Sequence, residues 1–478
     1  MSKKNISSLK YQLCWFRTDL RVRDNPALSD ALALGPTRAI YIATPSQWQL
    51  HDDAPIKVDF WRRNLNELKG ELRKLNVDLH CFQVADYKEI PQLLQKLLVS
   101  FEIAALHYNR ECPLNERKRD EMVNAVCMKQ GVAVSSAADQ LLISPQLVLN
   151  KSGSPFKVFT PFARKALVEI QDNPGLHKAF LALEKNAEIL PPAPVLPEQV
   201  EISDINWPQP SQQWAQAWPA GEFAARVRLE EFAKNQISAY KEKRDIPSLN
   251  STSQLSAYLV AGVISVTECW RTAQKYSDNT GVDTWKSELL WREFYRYTVY
   301  HFPHVCMHKA YRESASQIPW RHDNDEFSKW CNGQTGYPLV DAGMRQLLYS
   351  GWMHNRIRMV TAMFLSKHLL IDWRWGERWF MQNLIDGDFA SNNGGWQWSA
   401  STGVDSAPYF RIFNPTTQSR RFDADGTYIR NHVPELAKLC DKTIHEPADV
   451  RPADYPTPIV EHRFGRARAL NAFKSTKY

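Results

Sequence analysis

The chain runs to 478 residues, 44% of them apolar and 23% charged, with a formal net charge of +7 at neutral pH. That length exceeds one compact core and suits two domains, and the composition excludes a largely disordered chain. No run approaches a membrane span, and Met1 to Leu13 lacks the apolar stretch of a signal peptide, so a cytoplasmic protein without membrane association is expected. Eight cysteines are scattered without a C-x-x-C pair, which argues against a disulfide framework and a zinc site. The modest positive charge suits a polyanionic partner and equally a basic enzyme.

Residues 1–140 alternate short apolar runs with amphipathic stretches, the pattern of a doubly wound α/β domain over a parallel sheet. Strands are expected at Gln12 to Phe16, Ala39 to Ala43, Leu79 to Val84, Ala104 to Asn109 and Val132 to Ser136. Helices are expected after Asp24-Asn25-Pro26 and over Val58 to Leu75, Ile90 to Phe101 and Glu116 to Gln130. No G-x-G-x-x-G follows the first strand, so a dinucleotide fingerprint is absent. Residues 141–219 lose periodicity and gather proline, most densely at Leu190 to Pro197, and read as a connector. From 220 to 478 helical patterns dominate, giving an all-α C-terminal domain, and most of the seventeen tryptophans lie there.

Within that half, Trp285, Glu288, Trp291, Arg292 and Tyr295 fall on one helical stripe. Such a stripe fits a cleft that stacks flat rings and grips polar edges, or a half-exposed face over a core. Gly351 to Met359 reads as a second helix on which Asn355, Arg358, Met359 and Ala362 share a face, either a pocket lining or an ordinary half-buried face. Asp386 to Trp398 concentrates acids, amides, glycines and two indoles without an amphipathic period. Carboxylates and amides can read the edge of a fused heterocycle, and glycines let backbone approach it. Thr252-Ser253-Gln254-Leu255-Ser256 offers hydroxyls at a helix start, where they could meet phosphate or simply cap the helix. Arg244, Arg292, Arg356 and Arg411 recur beside these motifs and suit a nucleic-acid backbone or a solvated surface.

These residues, together with Trp15-Phe16-Arg17-Thr18-Asp19-Leu20-Arg21 after the first strand and Trp291-Arg292-Glu293-Phe294-Tyr295, resemble the photolyase and cryptochrome family over essentially the whole chain. The resemblance implies an N-terminal antenna-binding domain and a helical domain that holds FAD. It implies FAD contacts at Tyr240, Thr252 to Ser256, Arg292, Asn355, Asp386, Gly387, Asp388 and Asn392. It implies contacts to damaged DNA at Arg244, Trp285, Glu288, Trp291, Asn355, Arg356, Met359 and Arg411. Glu288 and Asn392 then act at the reacting centre, and Trp396, Trp373 and Trp320 relay electrons. Asn115, Glu116 and Cys306 match contacts to a 5,10-methenyltetrahydrofolate antenna, while Met307 stands where lysine is expected in folate binders. The implied activity is light-driven repair of cyclobutane pyrimidine dimers by a monomer with no obligate protein partner; the alternative is a cryptochrome-type photosensor. No metal is implied.

Overall fold

The computed structural model describes residues 10–172, 186, 189–210, 217–276 and 279–475. The chain start and the parts of the expected connector at 173–185, 187–188 and 211–216 lie outside the described residues.

Strands β1 (Tyr11–Phe16), β2 (Thr37–Ala43), β3 (Leu79–Gln83), β4 (Ile103–Arg110) and β5 (Ala133–Ala138) form a parallel sheet in the order β5-β4-β1-β2-β3. A short antiparallel β6 (Gln199–Val200) extends the β3 edge. Because successive strand residues face opposite sides, Leu13 and Trp15 enter one apolar layer and Cys14 and Phe16 the other. Helices α4 (Ile90–Ser100) and α5 (Leu114–Lys129) cover the first layer; α1 (Pro26–Leu34) and α3 (Pro55–Arg73) cover the second. A parallel sheet covered on both faces requires strands this apolar. The Asn25-Pro26 start is realised: the Asn25 side chain accepts from the Leu28 amide at 3.2 Å, with proline in the first turn.

Two stretches carry more structure than their sequence suggests. Helix α2 (Pro45–Leu50) fills the β2–α3 connection, and the proline-bearing 141–219 stretch contains α6 (Phe159–Asp172), which buries Phe162, Ala166 and Ile170 against the helical half. The C-terminal half is helical throughout among the described residues, and its core divides between a cluster shared with α3 and α6 and a second around Trp330, Trp373 and Trp396.

The halves meet closely. Gly262, at φ +66°, approaches Thr18 so nearly that a Cβ would lie 2.0 Å from its carbonyl oxygen. Arg21 donates to the Gly262 oxygen at 3.0 Å and pairs with buried Asp139, so the C-terminal part of the Trp15-to-Arg21 motif lies in this contact. Glu293 adds a clamp, accepting from the Leu142 and Ile143 amides at 3.1 Å each. Among the described residues no helix is long and apolar enough to cross a membrane.

Candidate active site

A cavity of about 510 Å³ opens in the helical half, walled by three helices that each bring one of the sequence motifs to it. The first is Thr280–His301, started by Asn279, whose side chain accepts from the Gly281 amide at 2.7 Å. Its 3.6-residue period aims Trp285, Glu288, Trp291, Arg292 and Tyr295 into the cavity. The second helix is Asn355–Met363 and contributes Asn355, Arg356, Arg358, Met359 and Ala362. It starts later than its sequence pattern suggests, because Gly351 adopts φ +68° and closes the preceding helix, and His354 Nδ1 then accepts from the Arg356 amide.

The third wall is a helix that its sequence pattern does not announce. Asp386 to Trp398 lacks an amphipathic period yet forms a helix, Phe389–Ala400, with Asp388 capping the Ser391 amide at 3.0 Å. Its two glycines do different things. A Cβ on Gly394 would lie 2.1 Å from the Tyr295 ring, whereas one on Gly395 would meet nothing within 4 Å, since that face borders the cavity. Gly387 faces elsewhere: its carbonyl accepts from Lys57 Nζ and it lines a different cavity.

Charge is unevenly shared in this cavity. One Arg358 amine reaches both oxygens of buried Asp386, at 3.0 and 2.9 Å. Asp388 pairs with Arg296 at 2.9 Å; burial raises its pKa, but Arg296 and Arg292 overcome that and hold it below the usual value. Arg292 donates to the Gln140 carbonyl at 2.7 Å and has no carboxylate within ion-pair distance among the described residues. Burial and the neighbouring Arg296 lower it to about 10. Asn392 donates to the Glu377 carbonyl at 2.9 Å and Asn393 to the Glu377 carboxyl at 2.7 Å; burial pushes that carboxyl up to about 7.

The hydroxyl segment opens a five-residue helix, Ser256–Val260, but caps nothing: no hydroxyl of Thr252, Ser253 or Ser256 makes a hydrogen bond among the described residues. Ser253, Leu255 and Ser256 line the cavity with Tyr240 and Arg244, while Thr252 lies on an adjoining surface cleft. Gln254 sits at φ +49°, accepts from Arg228 at 2.8 Å, and does not line the cavity. At the mouth, Arg244 bonds Glu288 at 2.5 Å and Arg356 pairs with Asp245 at 2.7 Å. Arg411 is exposed and outside the lining.

Trp396 lines the cavity, Trp373 is fully buried in the same apolar cluster, and Trp320 is half-buried at its edge. The Trp396 and Trp373 ring nitrogens are buried without partners. Sequence reasoning placed Arg358 on the right face and Trp398 in the right motif, where both line the cavity, but it missed the partners Arg296 and Glu377.

An acceptor-rich, anionic, flat-ringed group fits what these residues leave open: the half-buried Arg292 cation without a carboxylate, free hydroxyls and the bare Gly395 face. A second cavity of about 230 Å³ lies where the C-terminal ends of β1 and β2 meet the helical half. Asn115, Glu116 and Cys306 converge there, with Asn115 bonded to His51 at 3.1 Å and Tyr87 donating to Glu116 at 3.3 Å. Met307 is about half exposed and lies outside that lining. No cluster of potential metal ligands occurs among the described residues.

Comparisons with known proteins agree with this geometry. Residues 12–179 match the family model described as DNA photolyase, and residues 285–475 match the FAD binding domain of DNA photolyase. A Vibrio cholerae protein named deoxyribodipyrimidine photo-lyase is 41% identical over 98% of this chain and 100% of its own length. The Escherichia coli protein of that name is 38% identical over 97% and 98%. Among solved structures, a class III photolyase from Agrobacterium tumefaciens matches at TM-score 0.86 and 34% identity, over 99% of this chain and 100% of that one. A Synechocystis cryptochrome matches at 0.85 and 28%, over 97% and 99%.

Proposed function

Since the chain belongs to the DNA photolyase family, with an FAD-binding helical domain, we propose that it repairs cyclobutane pyrimidine dimers in DNA under light. The observation that carries this reading is that one cavity receives both the Trp-Glu-Trp stripe of the Thr280–His301 helix and the acid–amide wall of Asp386, Asp388 and Asn392. The first set suits a flipped-out pair of pyrimidines and the second a flavin edge, so donor and lesion would share one space.

FAD, when bound, supplies a light-excited electron donor, and the electron returns after the ring opens, so no net oxidation or reduction occurs. The protein's own residues bind and orient. Asp386, Asp388, Asn355, Asn392 and Arg292 would hold the polar edges of FAD, and Ser253 and Ser256 its phosphate end. Trp291 offers a stacking plane to the lesion and Met359 an adaptable apolar contact. Glu288, held by Arg244, would hydrogen-bond the polar edge of the pyrimidines. Arg356 and exposed Arg411 would meet the phosphate backbone. Trp396, Trp373 and Trp320 grade from cavity wall to half-exposed surface, a path along which electrons can reach the cavity. Asn115, Glu116 and Cys306 support a folate-type antenna in the second cavity.

The cryptochrome likeness favours one second reading, a photosensor that repairs nothing. Incubating the reduced protein with an oligonucleotide containing a thymine dimer, in blue light and in darkness, separates the two. Loss of dimer only in the light is expected; no loss despite bound, reduced FAD overturns the repair reading. Glu288→Ala should lower repair yield more than FAD content.

A further inference from the structure

Trp291 is held by packing, and its indole makes no hydrogen bond among the described residues. Phe159 lies flat against it, ring centroids 3.8 Å apart and planes within 8°, and Phe294 meets it edge-on at 5.9 Å. Trp291 lines the cavity and Phe159 does not, so Phe159 backs one face of the indole and leaves the other to the cavity.

Phe159 is anchored through its own amide and through its chain neighbours on either side. Its amide donates to Asp405 at 3.0 Å. The Phe156 amide donates to the Tyr297 hydroxyl at 2.7 Å, and that hydroxyl donates to the Val148 carbonyl at 2.8 Å. One turn further along α6, Phe162 packs against Phe294 and Tyr297 at 5.0 and 4.8 Å. The first residue of α6 is thereby fixed over the Thr280–His301 helix.

We propose that Phe159 is a positioning residue for lesion recognition: it holds the Trp291 plane parallel to an incoming flipped base. The proposal rests on the dimer-repair reading. A pre-oriented plane spares the ordering cost of the indole when the lesion stacks, and only the lesion gains from this. Undamaged duplex engages Arg356 at the cavity mouth and Arg411 outside it, which contribute salt-dependent binding without stacking. Phe159 therefore sets the ratio of lesion to undamaged affinity and leaves the salt dependence alone.

The test measures binding of the FAD-loaded protein to dimer-containing and undamaged oligonucleotides over a range of salt, for wild type, Phe159→Leu, Phe159→Met and Phe159→Tyr. Loss of the stacked partner should lower the lesion preference about two- to ten-fold in the Leu and Met variants, the range given by an aromatic pair. Phe159→Tyr should retain the preference, and salt slopes and FAD content should match wild type. Adding Phe159→Leu to Trp291→Leu should change the preference no further, because the one acts through the other. An unchanged preference in the FAD-loaded Leu and Met variants, or a further loss in the double variant, overturns the proposal. If wild type shows no preference for the dimer, the repair reading itself falls, and the proposal with it.

Discussion

Gly376→Ala perturbs the cavity wall by a single methyl group. A Cβ at Gly376 would stand 2.1 Å from Trp396 Cη2 and 2.6 Å from two further ring carbons. Reaching 3.4 Å, where ordinary contact begins, requires a displacement of about 1.3 Å in a ring that lines the cavity. Overpacking of this kind costs about 1–3 kcal/mol. The change also raises helix propensity by about 1 kcal/mol, which masks part of the loss. Gly70→Ala supplies the correction, because Gly70 is exposed in α3 and its Cβ would meet nothing within 4 Å. It carries the propensity gain alone, so the difference between the two variants in urea unfolding isolates the clash. Gly376→Ala should fall about 1–3 kcal/mol below Gly70→Ala, lose part of its FAD absorbance, and photoreduce its remaining flavin more slowly with an external thiol. Equal stability and equal FAD retention in the two variants would refute this packing of Trp396.

Asp386→Asn leaves the Arg358 guanidinium without its carboxylate. A fully buried pair broken this way costs about 3–5 kcal/mol; because the Arg358 side chain is 24% exposed, about 2–3 kcal/mol is expected, read by urea unfolding together with reduced FAD binding. Glu377 gives a pH signature. Its folded pKa, near 7, lies above its ordinary value, so the stability it contributes is fully present below pH 4.5 and is lost as the pH rises through 7. Glu377→Gln should flatten part of that decline in urea midpoints, while Glu293, raised to about 7 by burial, retains its own share.

The sheet was legible because its strands are short apolar runs separated by helical patterns, and the two candidate helices because their chemistry recurs every three to four residues. The Phe389–Ala400 helix was not, since Gly394 and Gly395 depress intrinsic helix propensity; close contact with Tyr295 selects the helix there, and that contact has no local signature. Helix α6 did leave a signal, with Phe162, Ala166 and Ile170 at four-residue spacing, but the prolines further along drew the stretch toward a connector reading. The partners Arg358 for Asp386, Arg296 for Asp388 and Leu142 for Glu293 join segments distant in sequence, and periodicity cannot pair them.

The central claim is that flavin and lesion share one cavity, and the fluorescence lifetime of bound, reduced FAD tests it most directly. A dimer-containing oligonucleotide should shorten that lifetime, with an undamaged oligonucleotide of the same sequence leaving it unchanged. A lifetime indifferent to the dimer, at concentrations where the oligonucleotide is bound, would contradict the account.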